Sequence, residues 1–297
     1  MSGTREFIVV GVDDSDAATQ AARWAADEAA RRHCELRVVH AFTLPAIAGY
    51  PEFSADSDDL PEVMRRDGET MLHQVATELR RRHPGLTVTT RLVYERTSVV
   101  LRSESAGALL TVVGSSGESR LSGALLGSVT LATASTGPAP VAIVHLGDRE
   151  RTDGPVVVGI DGTATSEDAV GFAFHEASIR RAELLAVHVW NDVVVSGSHR
   201  LQNPLLDPER IRQQEREVLA ERIAGWADKY PDVVVRQILA EGRAVPSLLE
   251  YAQQAQLLVV GSHGRGGFAG MLLGSTSHAL IIHSAVPVVV VRSDADR

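Results

Sequence analysis

Gly114, Gly117, Gly127 and Ser128 stand at spacings that recur as Gly261, Gly264, Gly274 and Ser275, and Leu-Leu-Gly-Ser closes both stretches. Each stretch joins an apolar run to a helix-like segment. Glycine lets backbone N–H groups approach a ligand closely, and the N-terminus of the following helix presents unpaired donors and partial positive charge, so the arrangement suits an anion such as a phosphate. A tight strand-to-helix turn would need the same glycines, and one such loop alone leaves both readings open. Recurrence favours the phosphate cradle. Ser116 and His263, between the first two glycines of each set, either touch phosphate or serve as polar loop residues.

Other chemistry has no comparable pattern. The sequence contains no HExxH, CxxC or GxSxG motif and no paired-carboxylate motif, and its 11 histidines are scattered. Gly264 to Ala269 satisfies GxGxx[GA], but after the fourth predicted strand rather than the first, where a dinucleotide fold needs it. Lys229 is the only lysine, which excludes the GxxxxGK[ST] loop of P-loop NTPases. A net charge of −9 argues against a general nucleic-acid binder. No apolar run approaches the ~20 residues of a membrane span. Met1 to Phe7 is polar and charged, unlike a signal peptide, and a cytoplasmic location is expected. The single cysteine, Cys34, excludes an internal disulfide and a cysteine-rich metal site, and fits a reducing compartment. At a predicted helix-to-strand corner, it reads as a small, partly buried residue with no reactive role.

The recurrence extends along the chain. Pro84 and Pro231, and Pro140 and Pro287, repeat at the offset of 147 shown by the glycines, whereas Asp13 and Asp161, Glu35 and Glu183, and His40 and His188 repeat at 148. The drift falls in loops, which tolerate length changes. The chain is therefore read as a duplicated domain, 1–147 and 154–297, with Gly147 to Gly154 as linker. In the first copy the pattern predicts strands at Arg5 to Val12, Leu36 to Ala41, Leu86 to Val93, Ala108 to Val113 and Val141 to His145. Helices are predicted from Ser15 or Asp16 to Arg32, Pro61 to His83, Val99 to Ser105 and Ala124 to Ser135. The second copy repeats the plan with strands at Val156 to Ile160, Leu184 to Trp190, Val233 to Leu239, Leu257 to Val260 and Val286 to Arg292. Its predicted helices follow Ser166 and span Pro208 to Tyr230 and Val245 to Gln253. The alternation implies an α/β fold with a parallel sheet covered on both faces. The fifth strands are apolar on both faces, and their mutual pairing is expected to make an intramolecular pseudo-dimer.

With these residues in place, each copy resembles a universal stress protein domain, and the resemblance covers nearly the whole chain. The family's ATP-binding signature is Gly, two residues, Gly, nine residues, Gly, then Ser or Thr. It is matched by Gly114, Gly117, Gly127, Ser128 and again by Gly261, Gly264, Gly274, Ser275. The Val-Gly-Val-Asp13-Asp-Ser opening and its Val-Gly-Ile-Asp161-Gly-Thr counterpart fit the family's first strand. The resemblance implies two tandem Rossmann-like, doubly wound domains, each with five parallel strands in the order 3-2-1-4-5. ATP, accompanied by Mg²⁺, is expected in the crevice where the order reverses. It implies that Asp13 and Asp161 accept hydrogen bonds from ribose hydroxyls or the adenine amino group, with Ser15 and Thr163 available for helix capping in their place. Ala41 and Val189 would contact adenine, Gly117 and Gly264 would let the backbone wrap the phosphates, and Ser128 and Ser275 would donate hydroxyls. Val129 and Thr276 would follow on the same wall. His40 and His188 are expected to face sheet packing.

The copies differ where charge matters. Arg265 follows the second signature glycine in one copy and Glu118 in the other, with Arg120 as a nearby compensating cation. The C-terminal site is therefore expected to bind nucleotide at least as tightly. The resemblance implies a stress-response regulatory protein, a homodimer with at most slow ATP hydrolysis. An adenine-nucleotide enzyme, such as a phosphohydrolase or an adenylating enzyme, is the alternative, but it needs a positioned general base that the sequence does not nominate. A structural duplicate without ligand is the third reading.

Overall fold

A computed structural model of the chain describes residues 6–43, 59–115, 126–148, 151–163, 166–190, 208–264 and 273–293. These fall in two units, Met1–Leu146 and Gly147–Arg297. The first unit runs β1 (Phe7–Gly11), α1 (Asp16–Arg32), β2 (Glu35–Phe42), α2 (Asp59–Arg82), β3 (Val88–Tyr94), α3 (Thr97–Ser105), β4 (Leu110–Gly114), α4 (Ser128–Thr136) and β5 (Val141–Val144). The second runs β6 (Val156–Ile160), α5 (Glu167–Arg180), β7 (Leu184–Trp190), α6 (Pro208–Lys229), β8 (Val235–Glu241), α7 (Ala244–Ala252), β9 (Leu257–Gly261), α8 (Ser275–His283) and β10 (Val288–Val291).

Within the first unit the strands lie in the order β3-β2-β1-β4-β5, and within the second β8-β7-β6-β9-β10. All these pairings are parallel. The order reverses between β1 and β4, and again between β6 and β9, where Val9 faces Thr111 and Val157 faces Leu258. Central strands with both faces covered need β-branched side chains throughout, and Ile8, Val9 and Val10, like Val156, Val157 and Val158, are fully buried.

Small residues bring α1 close to this sheet. Ala17, Ala18, Ala21, Ala22, Ala25, Ala26 and Ala29 form its buried face. The Ser15 hydroxyl accepts the Ala18 N–H at 3.1 Å, so Ser15 and not Asp16 caps the helix. Ser15→Ala is expected to cost about 1 kcal/mol of stability, read as an earlier urea midpoint. In the second unit a glycine lets two helices approach, with the Trp226 ring of α6 2.4 Å from the point where a Cβ on Gly171 of α5 would stand.

Several boundaries differ from the sequence pattern for local reasons. The helix predicted from Ala124 starts at Ser128 with Gly127 as its N-cap, a position that suits glycine better than a helix interior does. The strand predicted from Leu86 starts at Val88, because the Leu86 N–H is taken by the His83 carbonyl in the turn after α2. At the other end, β10 begins after Pro287, which has no N–H for the ladder and instead accepts from Leu258 N.

Candidate functional site

In the second unit the carboxyl ends of β6 and β9 open into a cavity of about 460 Å³. Ile160 and Asp161 line it from the end of β6, Val187 and Val189 from β7, and Ala244 and Leu248 from α7. Gly261, His263 and Gly264 close the side beyond β9, and Gly274 to Ser277 bring the start of α8 to the same space. The volume falls in the range of small-molecule sites, roughly 300–1,000 Å³, and the place is the switch point at which open α/β sheets bind ligands.

Local bonds hold the polar groups in position. Asp161 Oδ1 accepts the N–H and hydroxyl of Thr163 at 2.8 and 2.7 Å, a turn that aims the carboxylate across the crevice. Its other oxygen, Oδ2, lies 3.4 Å from where a Cβ on Gly264 would stand. The Ser277 hydroxyl donates to the Gly261 carbonyl at 2.6 Å, and Gly274 N donates to Ser262 O at 2.8 Å, so the end of β9 and the start of α8 are tied together. Gly274 caps α8 with no side-chain hydrogen bond, and Ser275 is exposed at its first turn. That leaves a helix N-terminus facing the cavity with partial positive charge. His263 Nδ1 is 3.2 Å from the Ser262 hydroxyl.

The first unit repeats this geometry around a smaller cavity of about 140 Å³. Asp13 Oδ1 accepts the N–H and hydroxyl of Ser15 at 3.0 and 2.5 Å, and the Thr130 hydroxyl donates to the Gly114 carbonyl at 2.9 Å. Asp13, Ala41, Gly114, Ser128 and Val129 line the cavity, and Gly127 caps α4 beside it. In the second unit Asp161, Val189, Gly261, His263, Gly264, Gly274, Ser275 and Thr276 are all brought together. Ser116, Gly117, Glu118, Arg120 and Arg265 lie outside the described residues.

The described signature glycines do not take left-handed backbone. Gly127 and Gly274 have φ of −58° and −66°, and neither Gly114, Gly261 nor Gly264 has positive φ. Gly114 is required instead for its missing Cβ, which would stand 2.8 Å from the carbonyl carbon and oxygen of Ala17.

Sequence reasoning passed over Thr130 and Ser277, Leu101 and Leu248, and Thr97 and Ala244. Each pair recurs at the 147-residue offset, which was the available signal. His40 and His188 do serve the sheet: each ring Nδ1 lies against the carbonyl at the end of the first strand, Val12 O at 2.8 Å and Ile160 O at 2.7 Å. A carbonyl only accepts, so Nδ1 carries a proton in both. His188 Nε2 then meets Glu215 Oε2 of α6 at 2.7 Å, while Gly68 of α2 stands beside the His40 ring. Glu215→Leu should destabilise the second unit by about 1.5–3 kcal/mol, since His188 is fully buried and loses a charge-assisted bond. Glu215→Gln, whose amide can donate to Nε2, should lose less in the same melting experiment.

Cys34 lies at the opposite end of the first unit, in a pocket with His33 and His83. Burial pushes its thiol up, against the opposing pull of Arg32. It is expected to alkylate more slowly than free cysteine at pH 7, as an iodoacetamide time course will show.

The sequence profile of the universal stress protein family matches residues 5–145 and again 154–292. The chain belongs to the universal stress protein family. It is 40% identical over 295 residues to a universal stress protein of Mycobacterium tuberculosis, covering 96% of each chain. With one from Mycolicibacterium smegmatis it shares 39% over 297 residues, or 98% of each. The crystal structure of a universal stress protein from Archaeoglobus fulgidus superposes with a TM-score of 0.71 at 20% identity, covering 97% of this chain and 99% of that one. At that identity the likeness concerns the fold. Among the described residues no helix is long and apolar enough to cross a membrane, and no cluster of three or more His, Cys, Asp or Glu could hold a metal ion.

Proposed function

We propose that the chain binds an adenine nucleotide, ATP with its Mg²⁺, in the crevice between β6 and β9, and acts as a nucleotide-dependent regulatory protein of the stress response. The supporting observation is convergence: the Asp161 carboxylate, the Gly261 to Gly264 backbone, the uncapped start of α8 and the apolar Val189 all border one cavity. In this reading the Asp161 carboxylate accepts from ribose or the adenine amino group, Val189 packs on the base, and backbone N–H groups of α8 with the Ser275 hydroxyl receive the phosphates. Mg²⁺ arrives with the triphosphate and neutralises its charge. Arg265, the next residue in sequence after Gly264, is the cation this reading assigns to the phosphates. Occupancy, rather than turnover, biases the chain toward one set of partners.

Calorimetric titration with Mg-ATP tests this reading, with saturable binding as the expected result. His263, which lines the cavity and has Nδ1 3.2 Å from the Ser262 hydroxyl, supports slow ATP hydrolysis as a second reading. Conversion of ATP to ADP over hours, lost in His263→Ala, would favour it. We place the protein in the cytoplasm as a homodimer, and light scattering on the full chain reads that assembly.

A further inference from the structure

We infer that Arg222 of α6 is a positioning residue for Asp161, holding the turn that aims its carboxylate into the crevice of the second unit. This rests on the nucleotide reading above. Arg222 is not among the described residues that line the cavity. Its Nη2 donates instead to the Gly162 carbonyl at 3.2 Å, on the residue after Asp161. Glu215, two helical turns earlier on the same face of α6, meets His188 Nε2, and Nδ1 of that ring donates to the Ile160 carbonyl, on the residue before Asp161. The helix therefore reaches the backbone on both sides of Asp161, directly through Arg222 and by way of His188 from Glu215. The bonds from Thr163 to Asp161 Oδ1 hold the same turn from within.

Packing does not account for an arginine at this place. Its Nε is buried and meets no acceptor among the described residues, an arrangement that costs stability. At the 147-residue offset the first unit has Val75 in place of Arg222 and Gly68 in place of Glu215. Gly68 stands beside the His40 ring as Glu215 stands beside His188, and Leu72 and Leu219 are both buried, so α2 and α6 sit in matching register on their own sheets. An apolar side chain thus satisfies the fold where Arg222 stands.

What differs is the turn beneath. Gly162 has a φ of +81°, the left-handed backbone that suits glycine, whereas Asp14 at the matching place has no positive φ. Asp161 is half-buried, whereas Asp13 is exposed. Arg222 therefore accompanies a turn of different backbone course and a more sheltered carboxylate.

Mg-ATP titration and amide hydrogen exchange on the full chain test this together. In Arg222→Val, which installs the residue of the first unit, binding is expected to weaken about fivefold, an effect transmitted without contact to the ligand. In the Asp161→Asn background the same change should add no further loss, because Arg222 acts through that carboxylate. Without nucleotide, the Thr163 amide should exchange at least about tenfold faster in Arg222→Val, while the amides of β7 keep their wild-type rates. Arg222→Met, which keeps an unbranched stem and has no donor, gives the same readings where the valine variant does not fold. Unchanged Thr163 exchange, equal acceleration at Thr163 and in β7, or a full fivefold loss in the Asp161→Asn background would overturn the inference. No binding by wild type would reject the nucleotide reading, and Thr163 exchange would still decide whether Arg222 holds the turn.

Discussion

Gly264→Asp is expected to weaken Mg-ATP binding by about 100-fold or more, because setting like charges side by side costs several kcal/mol and each 1.4 kcal/mol is a factor of about ten. The new side chain starts 3.4 Å from Asp161 Oδ2, so it places a second carboxylate against the first on the side that receives a polyanion. The fold should tolerate it. Gly264 is exposed and its backbone has negative φ, so the melting temperature should stay near that of wild type. Gly117→Asp, the counterpart in the first unit, should change binding far less. A greater loss from Gly117→Asp than from Gly264→Asp would reverse the ranking of the two sites.

Gly114→Ala should show the opposite pattern, with loss of stability preceding any loss of ligand. Its Cβ would stand 2.8 Å from the carbonyl carbon and oxygen of Ala17 and 3.0 Å from Ala18 N. Those are backbone atoms of α1, which cannot rotate aside as a flexible side chain would. The helix and β4 must separate, and overpacking of this kind costs about 1–3 kcal/mol. At about 4 °C per kcal/mol for a domain of this size, calorimetry should show the transition of the first unit lowered by several degrees. An unchanged transition would mean that α1 is not seated on β4 as described.

These two glycines show what a sequence carries and what it withholds. The spacing of Gly114, Gly117 and Gly127 was visible because it recurs, and the strands were visible because a strand buried on both faces has to be a run of Val, Ile and Leu. The order of strands in each unit came with the family resemblance. The division of labour among the glycines was not legible, since the need for a missing Cβ at Gly114 comes from Ala17, a residue almost 100 positions away. Gly171 is a similar case: as a glycine inside a helix it reads as a weak point, until the Trp226 ring is seen resting on it. His40 and His188 are identical at sequence level, and only packing reveals that one faces Gly68 and the other Glu215. Likewise Thr97 and Ala244 are unremarkable helix starts until each is found lining a crevice.

The most direct test of the account compares Mg-ATP titrations of the wild-type chain and Asp161→Asn. Asparagine keeps an oxygen for the Thr163 turn, at present 2.8 and 2.7 Å from Asp161 Oδ1, but replaces the second oxygen with a donor. The account predicts saturable binding by wild type and a loss of at least about tenfold in Asp161→Asn, equivalent to 1.4 kcal/mol, with melting temperature unchanged. Equal affinity in the two proteins, or no binding by wild type, would contradict it.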